Sequence, residues 1–156
     1  MRRGAFLKPI YILNGPNLNL LGTREPDVYG HESLSDIEAA CRDKARALGF
    51  EIVFEQSNHE GVLVELIHKA DSEASAIVFN PAAYTHTSIA LLDALKGVDV
   101  PCVEVHLSQP AAREAFREVS YVARAAAGTI SGFGSHSYML GLEAAARLAK
   151  ARTGQE

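Results

Sequence analysis

Residues 10–14 read Ile-Tyr-Ile-Leu-Asn, and Gly15-Pro16-Asn17 follows them at once. A short apolar run that ends in turn-forming residues is typical of a buried β-strand. Similar runs, several of them rich in Ile and Val, recur at Glu51–Glu55, Ala76–Asn80, Pro101–His106 and Thr129–Phe133. The sequence therefore predicts five short strands.

Helical patterns occupy the segments between these strands. The first runs from Leu34 to Leu48, with a capping-box spacing at Ser35 and Glu38 and with Gly49 where a helix ends. Further patterns cover residues 63–70, 89–95, 112–118 and 138–151. Strands that alternate with helices pair in parallel through right-handed crossovers. We therefore predict an α/β fold, a flavodoxin-like three-layer sandwich whose five-stranded parallel sheet has the order 2-1-3-4-5 and helices on both faces.

The length and net charge of the chain indicate the number of domains and exclude some classes of binding partner. The chain has 156 residues and a formal net charge of −4, which predicts a single catalytic domain over residues 1–156, with a core over 9–151 and a frayed tail at 152–156. The weak negative charge gives no attraction to nucleic acid or anionic membranes. No apolar run approaches the ~20 residues that span a bilayer. Cys41 and Cys102 fall in core patterns, which favours reduced thiols and a cytoplasmic protein.

The loop after the first strand is long for a strand-to-helix connection, and loops of this length are often lids or binding loops. It carries Asn17, Arg24 and Tyr29. A guanidinium near a phenol in a dry site lowers the pKa of the phenol, which would make Tyr29 a base at neutral pH. The alternative is a structural turn with a surface arginine. Because open parallel sheets bind ligands at the carboxyl ends of their strands, this loop marks the predicted site.

The end of the fourth strand carries an acid and an imidazole. Glu104 and His106 alternate onto the same face, so the carboxylate orients the ring and favours the protonated form that a general acid needs. The alternative is a buried imidazole satisfied by its neighbour. Leu107 and Ser108 then lead into a predicted short helix, whose backbone N–H groups would face an anion.

Two arginines and the end of the third strand add further polar groups. Arg113 and Arg117, spaced i,i+4, would share one helical face, although solvated surface charge is the alternative. Asn80 would present an amide to the crevice. The Thr85–Ser88 segment opens the third helix, where Thr and Ser are ordinary caps, but its polar groups with His86 at this edge favour recognition of hydroxyls. Asp93, farther along the third helix, would face solvent.

Several other chemistries lack their residues. The sequence has no Gly-x4-Gly-Lys phosphate loop, and Gly132-Phe133-Gly134 lacks the rest of a dinucleotide fingerprint. Six scattered histidines make a weak case for a metal. The lysines avoid the carboxyl ends of the strands, which leaves no obvious Schiff-base nucleophile. These observations disfavour a nucleotide-binding loop, a zinc site and a Schiff-base mechanism. A non-catalytic flavodoxin-like ligand-binding module, with or without flavin, and a metal-dependent hydrolase using His86 and His106 are the alternatives.

The chain resembles a known protein family over almost its whole length, from Ile12 to about Leu148. Several blocks of residues, which follow one another in a fixed order, show this resemblance. They are Gly15–Pro26 with Tyr29-Gly30, Gln56–Gly61, Asn80-Pro81 with Tyr84–Ser88, Glu104–Ser108, Arg113 with Phe116-Arg117, and Gly132–Gly134. In these blocks the chain resembles the type II 3-dehydroquinate dehydratases. The resemblance implies a flavodoxin-like fold and a homododecamer of four trimers. It also implies reversible anti elimination of water from 3-dehydroquinate to 3-dehydroshikimate through an enolate, without metal, cofactor or imine.

The resemblance also implies roles for individual residues. Tyr29 would remove the proton next to the ketone, and Arg24 would lower the pKa of that phenol. Asn17 would stabilise the enolate oxygen through a water. His106, oriented by Glu104, would protonate the departing hydroxyl.

The remaining implied roles concern substrate binding. Asn80 with the backbone of Leu107 and Ser108 would hold the carboxylate and the neighbouring hydroxyl. The other residues implied are His86 and Arg117 for the ring hydroxyls, Asp93 from an adjacent subunit, and Arg113 near the lid.

Three positions depart from the family pattern. Ala82 and Ser137 stand where the family usually has glycine, and Gln109 stands where it usually has asparagine. Because alanine has a Cβ and glycine has none, we expect a shifted backbone near the substrate at position 82. None of the three departures removes a group that is expected to take part in the reaction. The resemblance leaves open whether the enzyme serves the shikimate pathway or quinate breakdown.

Overall fold

The computed structural model describes residues 7–23, 25–29 and 31–154, with Tyr29 described by its backbone alone. One parallel sheet contains the five strands in the order β2-β1-β3-β4-β5. The strands are β1 (Ile10–Asn14), β2 (Ile52–Gln56), β3 (Ala76–Asn80), β4 (Cys102–His106) and β5 (Gly128–Ser131). The predicted α/β class and strand order are confirmed.

Helices cover both faces of the sheet and make the outer two layers. They are the single turn α1 (Pro26–Tyr29), α2 (Leu34–Ala47), α3 (Glu60–Glu73), α4 (Ile89–Lys96) and α5 (His136–Thr153). One core lies between the sheet and the pair α2 and α5, and a second lies under α3 and α4. None of the described helices is long and apolar enough to cross a bilayer.

Strand alternation divides the core between the two faces. Ile10 and Ile12 of β1 pack toward α2 and α5, whereas Tyr11 and Leu13 pack toward α3 and α4. Every residue of β1, β3 and β4 is buried, as expected for central parallel strands with helices on both sides. The polar residues Asn14, Asn80 and His106 therefore end buried strands at the same edge.

The start of α2 differs from the sequence prediction. Ser33, not Ser35, is the N-cap: its Oγ accepts from the backbone N–H of Asp36 at 3.1 Å, and the Asp36 carboxylate accepts from the N–H of Ser33 at 3.0 Å. A Ser-x-x-Asp pair thus makes the capping box two residues earlier than the predicted Ser-x-x-Glu pair. The other end is as predicted, because Gly49 follows the C-cap at φ 91°.

The predicted helix around residues 112–118 is wrong. Two 3-10 turns, Pro110–Ala112 and Ala115–Arg117, replace it, and Arg113 between them is extended. Neither turn buries a residue, and Phe116 is 68% exposed. Because most helical stability in proteins comes from burying an amphipathic face, a segment with no buried face does not hold an α-helix.

The remaining features concern cysteines and the chain end. Cys41 and Cys102 are both buried and free, as predicted. Burial raises the pKa of the Cys41 thiol to about 12, so it is a neutral core residue. The helix α5 continues to Thr153, and Gly154 closes it at φ 69°.

Candidate active site

A cavity lies at the carboxyl edge of the sheet, between the loops that follow β1, β3 and β4. This is the switch in strand order, where open parallel sheets bind ligands. No lysine is among the described residues that line it. The cavity brings together eight of the residues that the sequence singled out: Asn17, Asn80, His86, His106, Leu107, Ser108, Arg113 and Arg117.

An acid–imidazole pair closes one side of this cavity. Nε2 of His106 lies 3.5 Å from Oε2 of Glu104. Glu104 is fully buried and His106 is 7% exposed, so only the imidazole reaches the cavity. Burial acts to raise the pKa of Glu104, but hydrogen bonds from His106, Ser120 and Thr85 outweigh it and hold that pKa below its ordinary value. The pair can therefore present an imidazole beside an ionised carboxylate.

A chain of buried hydrogen bonds orients the amide of Asn80. Asn80 Nδ2 donates to the hydroxyl of Tyr138 at 2.9 Å, Tyr138 donates to Asn14 Oδ1 at 2.7 Å, and Asn14 Nδ2 donates to the carbonyl of Glu55 at 3.0 Å. Since a carbonyl only accepts, the direction of the whole chain is determined. Asn80 Oδ1 accepts from the N–H of Ala82 at 3.1 Å. One N–H of the Asn80 amide remains for a ligand.

The loop after β1 is held by the residues that follow β2. Asn17 has φ 68°, a left-handed conformation that asparagine tolerates better than most residues. Its backbone N–H donates to Asn58 Oδ1 at 2.9 Å. Gln56 Nε2 donates to the same oxygen at 3.1 Å and to the carbonyl of Gly15 at 3.2 Å. These bonds place Asn17 at the cavity.

The segment after β3 contributes one imidazole. His86 Nδ1 lies 2.8 Å from the carbonyl of Val119, and a carbonyl only accepts, so Nδ1 carries a proton. In the neutral ring Nε2 is then an acceptor for a ligand hydroxyl. Ser88 caps α4 by accepting from the N–H of Leu91, which is the ordinary role of a serine at a helix start. Thr85 Oγ1 bonds to buried Glu104. Neither residue lines the cavity.

Both predicted arginines line the cavity, although not through a shared helical face. Glu114 lies between them: Arg117 Nε donates to its Oε2 at 2.7 Å, and Arg113 Nε is 3.9 Å from the same atom. Both arginine side chains are largely buried, at 17% and 20% exposure. Arg113 is extended, and both arginines line the cavity although no helix joins them. Positive charge thus lines the cavity beside the backbone of Leu107 and Ser108.

The other four predicted residues have separate outcomes. Glu104 is buried and does not line the cavity. Asp93 is exposed on α4. Arg24 lies outside the described residues, and so does the side chain of Tyr29, whose backbone ends α1. Near the end of the loop after β1, Glu32 accepts a hydrogen bond from the Ser135 hydroxyl at 2.8 Å, which ties the loop to the start of α5.

Sequence reasoning missed the partners behind the site. Ser120 contacts Glu104, and Tyr138 contacts Asn80. No local pattern marks Ser120. The periodicity places Tyr138 in the last helix, and the need of a buried tyrosine hydroxyl for a partner is the signal that could have found its role.

Comparisons with known proteins decide the family. A family model described as dehydroquinase class II matches residues 8–146. The chain belongs to the class II dehydroquinase family. A 3-dehydroquinate dehydratase of Maricaulis maris is 64% identical over 138 residues, which cover 88% of this chain and 94% of that protein. One from Phenylobacterium zucineum is 61% identical over 143 residues, covering 92% and 99%.

Solved structures agree with the family. The crystal structure of a type II dehydroquinase from Propionibacterium acnes has a TM-score of 0.86 at 42% identity, covering 90% of this chain and 97% of that one. One from Butyrivibrio crossotus has a TM-score of 0.87 at 36% identity, covering 89% and 97%. The sequence prediction of a flavodoxin-like type II dehydroquinase, a hydro-lyase, is confirmed.

The departures from the dehydroquinase pattern have local explanations. Ala82 keeps φ 51°, the left-handed region that favours glycine, and so carries backbone strain where the family usually avoids it. Gln109 accepts from Ser131 Oγ at 2.8 Å. Ser137 Oγ accepts from the N–H of Phe133 at 3.2 Å. Ala82 thus keeps the backbone conformation that favours glycine, with backbone strain as the cost, and its N–H still donates to Asn80 Oδ1.

Proposed function

We propose that this chain catalyses the reversible anti elimination of water from 3-dehydroquinate, giving 3-dehydroshikimate through an enolate. Family membership supports the substrate and the reaction. The observation that carries the proposal is the buried Glu104–His106 pair, whose imidazole opens into the same cavity as Asn80, His86 and Arg117. A β-hydroxy ketone needs a proton donor at the departing hydroxyl, and this pair is placed to supply one.

The proton donor is His106. Its Nε2 faces Glu104, which leaves Nδ1 as the ring nitrogen for the substrate. The ionised carboxylate stabilises the imidazolium, and the imidazolium gives its proton to the hydroxyl as the carbon–oxygen bond breaks. In the reverse direction the neutral imidazole takes a proton from the attacking water.

The base is Tyr29, with Arg24 and Asn17 as its partners. The guanidinium of Arg24 favours the phenolate, which removes the proton next to the ketone. Asn17 stabilises the oxygen of the resulting enolate through a water, and preorganised charge of this kind usually contributes more to catalysis than any other single effect. Closure of the loop over the substrate excludes water and strengthens these interactions.

The substrate is held by groups from three loops. Asn80 and the backbone N–H groups of Leu107 and Ser108 bind the carboxylate and the neighbouring hydroxyl. His86 and Arg117 bind the ring hydroxyls, and Arg113 contacts the lid. The fixed amide of Asn80 and the fixed tautomer of His86 support these roles, because each presents one defined group to the cavity.

The active form is a cytoplasmic homododecamer, a tetramer of trimers, in which Asp93 reaches the cavity of an adjacent subunit. Ile89 supports a subunit contact on this face of α4: it lies one helical turn before Asp93 and is 57% exposed. A contact there would cover this apolar side chain. Sedimentation of wild type and of Ile89→Asp tests the assembly, since a charge in this contact should reduce the oligomer.

The formation of a conjugated enone tests the reaction directly. Purified protein mixed with 3-dehydroquinate should develop the ultraviolet absorbance of the enone, and His106→Ala should lower turnover by about two to four orders of magnitude. A chelator and borohydride should leave the rate unchanged. Inactivation by borohydride with substrate would indicate an imine and overturn the enolate route.

The same preparation tests the alternatives. Loss of activity with a chelator would support a metal-dependent hydrolase using His86 and His106, although the described residues contain no group of three or more side chains suited to a metal. A yellow protein without turnover would support a flavin-binding module. Absence of enone at high protein concentration would overturn the dehydratase.

A further inference from the structure

We propose that Ser120 is a positioning residue for the proton donor: with Thr85, its hydroxyl holds the Glu104 carboxylate against His106. The inference rests on the proposed function, since it assigns a means of controlling the proton on His106. Neither hydroxyl-bearing residue lines the cavity, so both act through Glu104 and not on the substrate.

The three side chains form a closed triangle of short hydrogen bonds. Ser120 Oγ lies 2.6 Å from Oε1 and 3.0 Å from Oε2 of Glu104. Thr85 Oγ1 lies 2.7 Å from Oε1 and 2.6 Å from Ser120 Oγ. Oε2 of the carboxylate also faces His106.

The donors and acceptors in this triangle indicate whether the Glu104 carboxyl is ionised. The N–H of Ala123 donates to Ser120 Oγ at 3.0 Å, which leaves the Ser120 proton for the Glu104 carboxylate or for Thr85 Oγ1. The Thr85 proton goes to Glu104 or to Ser120. An ionised carboxylate only accepts, whereas a protonated one would need an acceptor of its own. The geometry therefore matches an ionised Glu104.

The backbone holds both hydroxyls in place. The N–H of Tyr121 donates to the carbonyl of Thr85 at 2.7 Å, next to the contact between Val119 and His86. The segment 119–121 is thus bound along the segment 85–86. Glu104 is fully buried behind it, where each charge-assisted bond is stronger than at the surface.

Few other ionisable groups surround this carboxylate. Its register partners on the neighbouring strands, Phe79 and Thr129, are not ionisable. The titratable groups on the surrounding segments are Cys102 and His106 on β4, Tyr84 and His86 on the 82–86 turn, and Tyr121 beside Ser120. His106 is the charged group that acts on the pKa of Glu104, and the two hydroxyls lower that pKa with it.

Loss of the Ser120 hydroxyl removes a donor from the Glu104 carboxylate, so the pKa of that carboxyl should rise toward its ordinary value. A carboxylate that is held less firmly also orients the His106 imidazole less well for proton donation. In Ser120→Ala the acidic limb of the kcat/KM profile should move up by about one pH unit, and kcat should fall about tenfold, which is the scale of one hydrogen bond to a charged group. The KM should change little, because Ser120 does not line the cavity.

Matched variants separate this role from a merely structural one. Ser120→Thr keeps the hydroxyl and should restore the wild-type pH profile. Thr85→Val keeps the shape and should shift the acidic limb in the same direction, which covers the case in which Ser120→Ala does not fold. Ser72→Ala is the control, since Ser72 is an exposed serine of α3 whose hydroxyl donates to the carbonyl of Lys69.

An NMR titration without substrate distinguishes failure of this inference from failure of the dehydratase. In Ser120→Ala the carboxyl signal of Glu104 should titrate at a higher pH than in wild type, whether or not the enzyme turns over 3-dehydroquinate. An unchanged acidic limb together with an unchanged titration of Glu104 in a folded Ser120→Ala would overturn the proposal. So would a rise in KM alone.

Discussion

The hydroxyl of Tyr138 accepts a 2.9 Å hydrogen bond from Nδ2 of Asn80, so a residue of α5, on one face of the sheet, orients an amide at the ligand edge. Both residues are buried. The rest of the chain, through Asn14 to the carbonyl of Glu55, leaves Tyr138 no other direction for its proton. The hydrogen bonds that orient the Asn80 amide thus run from α5 across the sheet to β2, an edge strand.

Tyr138→Phe should therefore affect both stability and substrate binding. The substitution leaves groups of Asn14 and Asn80 without a partner in the core, which costs about 1–3 kcal/mol of unfolding free energy. The freed Asn80 amide should raise KM more than it lowers kcat. Chemical denaturation and steady-state kinetics measure the two effects. Tyr11→Phe is the control, since the Tyr11 hydroxyl bonds to Glu73 away from the cavity and its loss should leave KM unchanged.

Arg24→Ala should move the basic group of the pH–rate profile to higher pH. In the proposed mechanism the Arg24 guanidinium favours the ionised form of the Tyr29 phenol, so its loss should allow the phenolate to form only in more alkaline solution. The kcat/KM profile measures this shift. Arg46→Ala, which removes an exposed arginine paired with Glu51, should leave the profile unchanged. An unaltered profile in Arg24→Ala would remove this residue from its proposed role.

The lowered pKa of Glu104 predicts how stability depends on pH. As the pH falls from about 4.5, the ordinary value, through the lower pKa of the folded protein, the unfolded chain binds the proton first. The contribution of Glu104 is thus complete above 4.5 and is lost as acidification reaches the folded pKa.

Glu104→Gln removes this contribution, so its unfolding free energy should fall less steeply than that of wild type in that acidic range. Urea denaturation at a series of pH values measures the difference. Glu143→Gln removes an exposed pair with Lys44 and should change the slope much less, because solvent and salt screen it. Parallel curves for wild type and Glu104→Gln would contradict the prediction.

Ala82→Gly should stabilise the protein. The left-handed conformation at φ 51° costs an alanine about 1 kcal/mol, and glycine adopts it without that cost. Part of the gain is offset by the greater freedom of glycine in the unfolded chain. Thermal unfolding should show a higher Tm, with a matched Ala83→Gly variant showing a lower one. A lower Tm for Ala82→Gly would show that the backbone at position 82 is not strained.

The fold could be predicted because its signals are local. Apolar runs such as Ile10–Asn14 and Ala76–Asn80 have the observed bounds, and the others are displaced by one or two residues. The helix expected around residues 112–118 failed because i,i+4 spacing says nothing about whether a face will be buried. The same spacing argument placed Arg113 and Arg117 together for the wrong reason.

The candidate site could be predicted as a place and as a set of residue types. Parallel strands bring their carboxyl ends to one edge, so the ends of β1, β3 and β4 had to meet. What escaped prediction were pairs far apart in the chain. Thr85 and Ser120 are separated by 35 residues, and Asn80 and Tyr138 by 58.

By itself, the sequence determined the order of the strands, the edge at which ligands bind and the family, since periodicity and ordered motifs are properties of neighbouring residues. Only the tertiary structure decided which hydroxyls reach Glu104, which way the Asn80 amide points and which nitrogen of His86 carries a proton. Hydrogen bonds act over about 3 Å and depend on direction, so their partners are selected by how distant segments pack and not by spacing along the chain.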